Sequence, residues 1–149
     1  MKPGGPVFDR RWRESCQVGP VSKTKIGRLI AQHYLHQWPK EVQLAFGLTR
    51  RGRLIGVITY SAVVGEVRVR FGPEVWELSR LIIVDDVPTN AESFFIAATI
   101  RYIKQHYGSL RRLVAFADPL QGHSGTVYRA SNWRELDHGS KHLFVYDLE

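Results

Sequence analysis

At 149 residues the chain is long enough for one domain with a sizeable core, and its 44% hydrophobic and 23% charged residues exclude general disorder. The single cysteine, Cys16, excludes an internal disulfide and a cysteine-built zinc site. Lys and Arg number 21 against 14 Asp and Glu, and this excess favours a polyanionic partner such as DNA or RNA. Because no segment resembles a membrane span or a secretory signal, we expect a cytoplasmic protein.

The first elements follow a segment with little periodicity. Residues 1–14 contain two Gly, two Pro and the cluster "DRRWRE", which predicts a flexible basic N-terminal arm before a single domain over residues 15–149. The stretch "SCQVGPVS" predicts a short strand. Ser22 is a candidate N-cap for a helix over "KTKIGRLIAQHYLH".

Three strands are predicted next. The stretch "VQLAFGLTRRGRLIGVITYSAVV" has the pattern of an antiparallel hairpin, with Gly52 in its turn. "VWELSRLIIV", at 75–84, continues as a third strand. Strict alternation in that strand places Glu77 and Ser79 on one face and Arg80 on the other. One of these faces is therefore expected to have only a structural role, and we favour the Glu77 face for chemistry.

The second half of the chain alternates helices and strands. "DDVPTN" ends the third strand of this group, and "AESFFIAATIRYIKQHYG" predicts a long helix. A strand "RRLVAFAD", a short helix "SGTVYRAS" and two terminal strands around "HGSK" follow. This order predicts an α/β fold with mixed strand directions.

The order of elements is similar to that of the GNAT acyltransferases. That resemblance implies a mixed, mostly antiparallel central sheet with flanking helices, and a cleft where the fourth and fifth strands splay apart. Ligands generally lie outside the strand ends of open α/β sheets, so the loops "DDVPTN" and "DPLQGHSGT" are expected to border one cleft.

Three stretches resemble a narrower group, the Mom family of bacteriophage DNA-modification proteins. They are "HYLH" at 33–36, "ELSRLIIVDDVPTNAESFFIAATIRYIK" at 77–104, and "ADPLQGHSGTVYRASNW" at 117–133. The resemblance implies a transferase that hypermodifies bases in phage DNA and shields it from host restriction. DNA and an acyl or aminoacyl donor would be its partners.

The segment at 85–90 departs from the usual coenzyme A site. GNAT proteins that use acetyl-CoA carry a glycine-rich loop there, whose backbone N–H groups hold pyrophosphate. Here two carboxylates would repel pyrophosphate, and Pro88 has no N–H. Acetyl-CoA stays possible as the donor, but the sequence does not identify the cofactor.

Three residues are candidates for catalysis. Glu77 is a candidate general base, because GNAT enzymes frequently use a carboxylate at this place. Asp118 could accept a proton from the attacking amine or orient His123, although an Asp-Pro sequence also favours a plain turn. Tyr128 resembles the GNAT tyrosine that protonates the leaving group, and a packing role is the alternative.

Further polar residues are candidates for binding. Asn90, Ser93, His123 and Ser124 are expected at two helix starts, where N–H groups can hold an anionic donor. Helix capping is the alternative role for Asn90, Ser93 and Ser124.

The remaining candidates would contact the substrate, and their roles come from the resemblance. Arg80 is a candidate anchor for a phosphate or carboxylate. The pair His33 and His36 could ligate a metal, but exposed histidines at a helix end are the more frequent case, and no metal site is predicted. The complete substrate-binding set is His33, Tyr34, His36, Ser79, Arg80 and Thr126.

Three hypotheses about function follow. The first is a Mom-like enzyme that transfers an acyl-type or aminoacyl-type group to a nucleobase. The second is a conventional GNAT N-acetyltransferase that uses acetyl-CoA on a protein or a small amine. The third is a DNA-binding module without catalysis. For an enzyme that reaches a base flipped out of the duplex, Trp12, Trp38 or Trp133 could stack on the base or fill the gap, and burial in the core is the alternative for each ring.

Overall fold

The computed structural model describes residues 6–22, 39–117, 125–138 and 141–149. Among these residues the helices are α1 (Arg10–Glu14), α2 (Gly65–Phe71), α3 (Ala91–His106) and α4 (Thr126–Ala130). The strands are β1 (Cys16–Pro20), β2 (Val42–Arg50), β3 (Arg53–Ala62), β4 (Val75–Ile83), β5 (Arg112–Ala117), β6 (Arg134–His138) and β7 (Lys141–Asp147). The helix predicted over "KTKIGRLIAQHYLH" lies outside the described residues.

All seven strands belong to one sheet, in the order β1-β2-β3-β4-β5-β7-β6. Every neighbouring pair is antiparallel except β4 and β5, which are parallel. A parallel pair needs a crossover connection, and α3 supplies it. None of the described helices is long and apolar enough to cross a membrane.

The two faces of the sheet bury different side chains, because neighbouring residues of a strand point to opposite sides. One face, called the α3 face, packs against the buried side of α3. Its strand residues include Phe46, Ile58, Tyr60, Leu78, Leu113 and Phe144. The other, called the α2 face, packs Val63, Val75, Val114, Leu143 and Val145 against Val67 and Phe71.

The segment before β1 differs from the flexible arm that the sequence predicted for residues 1–14. Asp9 caps α1 by accepting a hydrogen bond from the Trp12 backbone N–H at 2.9 Å. The Trp12 side chain is only 5% exposed, and its ring packs against Phe8 and Phe94. Periodicity could not reveal this contact because α1 is too short to show it. The burial of Trp12 also contradicts its proposed role in stacking on a base.

Helix α2 is a second difference, because the sequence placed no helix between β3 and β4. The stretch "GEVRVRF" alternates apolar and polar residues as a strand does, yet it folds as a helix that starts at Gly65. Gly65 and Gly72 bracket it with φ of 60° and 86°, values that glycine adopts at little cost. Val67 and Phe71, four residues apart, then face the sheet.

Replacing Trp12 with Ala tests whether the N-terminal segment is part of the core. We expect Trp12→Ala to lower the free energy of unfolding by about 3–5 kcal/mol, since it removes a buried aromatic ring. The control is Arg10→Ala on the same helix, whose exposed ion pair with Glu14 should contribute less than about 1 kcal/mol. Denaturant titration measures both variants, and equal small losses would contradict the packing described.

Candidate active site

The sheet opens between β4 and β5. Their parallel pairing joins only Val75 to Glu77 with Arg112 to Val114, and the strands are unpaired beyond these residues. The carboxyl ends of β4 and β5 therefore border a cleft, as the splayed arrangement predicts. Glu77 is the last paired residue of β4, so its side chain stands where the cleft begins.

A β-bulge in β4 lies directly beyond the point of separation. Tyr60 pairs with Leu78, but the preceding residue of β3, Thr59, pairs with Arg80. Ser79 is therefore the extra residue of the bulge, and Ser79 and Arg80 both oppose Thr59. Such a bulge changes the direction in which the following side chains point.

The bulge brings three hydroxyl groups together. Ser79 Oγ lies 2.8 Å from Thr59 Oγ1 and 2.7 Å from Ser61 Oγ, and it donates to the Thr59 carbonyl at 3.2 Å. Ser79 Oγ is therefore the shared partner of the hydroxyls of Thr59 and Ser61. Thr59 and Ser61 are buried, so this network fixes Ser79 on the α2 face.

The alternation that placed Arg80 opposite to Glu77 is wrong at this bulge. Glu77 pairs with Ser61 and Arg80 pairs with Thr59, and residues directly opposite on antiparallel strands share a face. The register therefore puts Glu77, Ser79 and Arg80 on one side of the sheet. Arg80 Nη1 donates to the Ser79 carbonyl at 2.7 Å, which holds the guanidinium beside the bulge.

Tyr128 lies on the α3 face. It is 8% exposed, and its ring centroid is 5.3 Å from those of Trp133 and Phe144. Helix α4 begins after Gly125, whose φ of 80° and close approach to Phe144 leave no space for a Cβ. Glu77 and Tyr128 thus belong to opposite faces of the sheet.

A second tyrosine, Tyr60, stands on the same face as Tyr128, and the sequence analysis missed it. Tyr60 Oη lies 2.8 Å from Thr99 Oγ1, and Thr99 donates to the Ile96 carbonyl at 2.7 Å. Since the Thr99 hydrogen is used there, Tyr60 donates to Thr99. Burial raises the pKa of Tyr60, and the nearby Tyr128 raises it further. Tyr60 is therefore protonated at neutral pH, and it lies near Tyr128.

The start of α3 does not fit the pyrophosphate of coenzyme A held in the usual manner. The Ala91 N–H bonds to the Pro88 carbonyl at 3.1 Å, and Asp86 lies 3.5 Å from the Arg53 guanidinium. Residues 85–90 contain no glycine, and they carry two carboxylates. Pro88 has no N–H and the Ala91 N–H is already bonded, so the segment offers fewer N–H groups to a pyrophosphate than a glycine-rich loop does.

Asn90 is the N-cap residue of α3, but it does not cap the helix with its side chain. Its φ is 78°, a left-handed conformation that Asn tolerates better than most residues, and its side chain makes no capping hydrogen bond. Ser93 Oγ donates to the Asn90 carbonyl at 3.1 Å. Asn90 therefore occupies the N-cap position that was considered for it, but its side chain does not supply the capping hydrogen bond.

An ion-pair cluster holds α4 on the terminal hairpin. Arg129 Nη2 donates to Glu135 Oε1 at 2.7 Å, and the other oxygen of Glu135 bonds to His142 Nδ1. Hydrogen bonds from Arg129 and His142 lower the pKa of the Glu135 carboxyl. Arg129 follows Tyr128 in the chain, so the cluster fixes the helix that carries the tyrosine.

Several predicted site residues lie outside the described residues: Asp118, His123, Ser124, His33, Tyr34 and His36. Thr126 is the first residue of α4 and is exposed. Gly125 is the N-cap position of α4. In the described part of the chain, no three His, Cys, Asp or Glu side chains form a cluster that could hold a metal ion.

Trp133 is buried next to Tyr128 and does not present its ring for stacking on a base. Its indole N–H has no hydrogen-bond partner in the structure, the one such buried side-chain atom among the described residues. An unpaired buried donor costs about 1–3 kcal/mol.

The sequence provides only a weak signal for four further residues at this site. Thr59, Tyr60, Ser61 and Thr99 lie within otherwise apolar elements.

Comparison with protein families identifies the group to which the chain belongs. The sequence model of the Mom protein family matches residues 15–149. The chain belongs to the Mom protein family. This Mom family chain is also 29% identical, over 132 residues, to a curated relative named methylcarbamoylase mom from Escherichia phage Mu. The match covers 83% of the chain and 54% of that relative, so the chain spans about half the length of the curated relative it matches.

Solved structures confirm the fold class of this Mom family chain. NAA60 of Arabidopsis thaliana in complex with acetyl-CoA has a TM-score of 0.67 and 14% identity, covering 89% of this chain and 98% of that one. The Escherichia coli ribosomal-protein-S18-alanine N-acetyltransferase has a TM-score of 0.66 and 9% identity, with coverage of 90% and 94%. A GNAT family acetyltransferase from Streptococcus pneumoniae has a TM-score of 0.64 and 10% identity, with coverage of 90% and 99%. The fold is therefore GNAT-like.

Removing the Ser79 hydroxyl tests the network at the bulge. Ser79→Ala leaves the buried hydroxyls of Thr59 and Ser61 without their shared partner, so we expect a loss of about 1–3 kcal/mol in the free energy of unfolding. Ser93→Ala is the control, because the Ser93 hydroxyl bonds only to a carbonyl at the exposed start of α3. Denaturant titrations that gave the two variants equal stability would contradict a structural role for the bulge network.

The lowered pKa of Glu135 predicts a pH dependence of stability. A carboxyl whose pKa is lowered by folding stabilises the protein above its unfolded pKa of about 4.3, and this contribution is lost as the pH falls through the folded pKa. We therefore expect Glu135→Gln to melt below the parent protein at pH 7, with the difference shrinking as the pH falls below about 4.3. Thermal melts across this range measure it. A difference that persisted unchanged at pH 3 would contradict the ion-pair origin.

Proposed function

We propose that this chain is a transferase that modifies phage DNA by moving an acyl-type or aminoacyl-type group onto a nucleobase. The observation that carries the proposal is the cleft between β4 and β5 in a Mom family chain, with Glu77 at its origin on one face and Tyr128 on the other. The name of the phage Mu relative makes a methylcarbamoyl group the first to test. DNA modified in this way would resist host restriction enzymes.

The proposed reaction is a direct acyl transfer. An exocyclic amine of the base attacks the carbonyl carbon of the donor, so a carbon–nitrogen bond forms and the bond between that carbon and the carrier breaks. Glu77 accepts the proton that leaves the amine, directly or through water, and Asp118 is the alternative acceptor. Tyr128 donates a proton to the departing carrier, and the two proton transfers balance the charges of the step.

The arrangement around Tyr128 supports its role as the acid. Its ring is buried against Trp133 and Phe144, and Tyr60, which is hydrogen-bonded to Thr99, lies near it. The pairing of Arg129 with Glu135 fixes the helix on which Tyr128 sits.

Other residues would bind the two reactants. Asn90 and Ser93, at the start of α3, with His123 and Ser124 from the other side of the cleft, would hold the donor. Arg80, fixed beside the bulge, would anchor a phosphate or carboxylate, and Ser79 and Thr126 would contact the substrate. The remaining proposed contacts to the base are His33, Tyr34 and His36.

A conventional N-acetyltransferase is the second candidate, and the fold of its structural neighbours favours it. Calorimetric titration with acetyl-CoA separates the two. Saturable binding would favour the conventional enzyme, whereas the composition of residues 85–90 leads us to expect none. A DNA-binding module without catalysis is the third candidate, and it would leave the nucleosides of the DNA unchanged.

Replacing Tyr128 with Phe tests the chemistry. The protein is expressed with the genes that neighbour it, and nucleosides from the cellular DNA are analysed by mass spectrometry. We expect a modified nucleoside with the parent protein and a rate about 10²–10⁴-fold lower with Tyr128→Phe, since the proton donor is lost.

The control for this experiment is Tyr102→Phe, a tyrosine of α3 whose ring packs against Phe46 away from α4. This variant should modify DNA as the parent does. If the parent protein yields no new nucleoside, the proposed acyl transfer is overturned. If Tyr128→Phe is as active as the parent, the proposed role of Tyr128 is overturned.

A further inference from the structure

The positive charge of the chain is unevenly distributed. Residues 1–53 contain 11 Lys and Arg against 3 Asp and Glu, while residues 54–149 contain 10 against 11. The whole excess of +7 therefore comes from the first third of the sequence. In the described residues this third builds α1, β1 and β2, which form one edge of the sheet, and the turn that leads into β3.

The arginines of this edge lie at the same end of the sheet as the cleft. Arg53 starts β3, and β3 runs antiparallel to β4, so the turn between β2 and β3 is next to the carboxyl end of β4. The ion pair of Arg53 with Asp86, in the loop that follows β4, shows this directly. Arg50 Nε donates to Ser15 Oγ at 2.8 Å, which joins the turn to the end of α1.

Arg51 occupies a backbone position that disfavours it. Arg50 pairs with Arg53, so Arg51 and Gly52 alone form the turn, with φ of 51° and 79°. A two-residue turn with positive φ at both positions strongly prefers Asn-Gly, because Asn adopts the left-handed conformation at lower cost. The arginine side chain at the tip is exposed. Backbone cost without a gain in packing indicates a function outside the fold.

Intramolecular carboxylates neutralise only part of this edge. Glu14 pairs with Arg10, Asp86 pairs with Arg53, and Asp9 caps α1. Asp85 is a further exposed carboxylate in the loop after β4. For Arg11 and Arg51 the described residues provide no carboxylate within ion-pair distance, so both guanidinium groups are available to an external anion.

We propose that Arg11, Arg13, Arg50, Arg51 and Arg53, called the arginine edge, bind the phosphate backbone of duplex DNA and position it over the cleft. The proposal rests on DNA being the substrate of the proposed function. Arg50 is half-buried beside Ser15 and Trp12, whereas the other four are exposed on α1 and on the turn. Exposed arginines spread over two elements suit an extended polyanion better than a single small donor. The arginines carry no base-specific requirement, so this edge sets affinity and orientation and leaves base selection to the cleft.

Arg51→Asn is the decisive variant, because its two expected effects have opposite signs. Asn fits the turn better than Arg, so the melting temperature should rise by about 1–3 °C. Loss of one phosphate contact should weaken binding to duplex DNA roughly three- to tenfold at 0.1 M salt, and should lower the slope of log K against log salt by about 1. A purely structural residue would not combine higher stability with weaker binding.

The control is Arg68→Asn on α2. This arginine is exposed and precedes β4, at the end of the sheet opposite to the cleft. We expect the control to bind DNA with the affinity and salt slope of the parent. Fluorescence anisotropy with a labelled duplex compares the three proteins. The salt concentration is varied from roughly 0.05 to 0.2 M, because contacts to the DNA backbone are salt-sensitive in this range.

Four outcomes would overturn the proposal: unchanged DNA affinity in Arg51→Asn, an equal loss in Arg68→Asn, tighter binding of an RNA duplex than of DNA, or a loss confined to acetyl-CoA binding. The nucleoside assay is independent of these measurements. A modified nucleoside with unaltered DNA affinity in Arg51→Asn would retain the proposed function and reject the arginine edge. Weaker DNA binding of Arg51→Asn, without any modified nucleoside from the parent, would retain the arginine edge and reject the proposed function.

Discussion

The separation of β4 from β5 after Glu77 is the constraint on which the rest of the molecule depends. Once the two strands stop pairing, their backbone groups face a cleft, and the bulge at Ser79 lies directly at its border. The three hydroxyls of Thr59, Ser61 and Ser79 give the extra residue hydrogen-bond partners within the sheet. Without such partners the bulge would leave polar groups buried and unpaired, at a cost of about 1–3 kcal/mol for each.

The same separation leaves an opening between the two faces of the sheet, which carry different candidate site residues. Glu77, Ser79 and Arg80 belong to the α2 face, whereas Tyr60, Thr99 and Tyr128 belong to the α3 face. In an unbroken sheet such groups could not act on one bond. A donor that passes through the gap can meet an acceptor on one side and a proton donor on the other, which is why the proposed acid and base come from different elements.

The sequence predicted part of the candidate site, and the errors in that prediction have a common origin. Glu77 and Ser79 were placed correctly on one face, because alternation holds up to the bulge. Arg80 was misplaced because one extra residue reverses the alternation beyond it. Tyr60 and Thr99 were missed because their hydroxyls are paired with each other across elements 39 residues apart, a relation that no local pattern contains.

The sequence by itself determined the order of the strands along the chain, the long helix α3, the family motifs, and the excess of basic residues near the N-terminus. These features depend on local periodicity or on composition, so they can be read without coordinates. Only the tertiary structure decided that Trp12 belongs to the core, that "GEVRVRF" is a helix, and that Arg80 shares a face with Glu77. Each of these depends on contacts or strand register between distant segments, and the burial gained there outweighs what the local pattern favours.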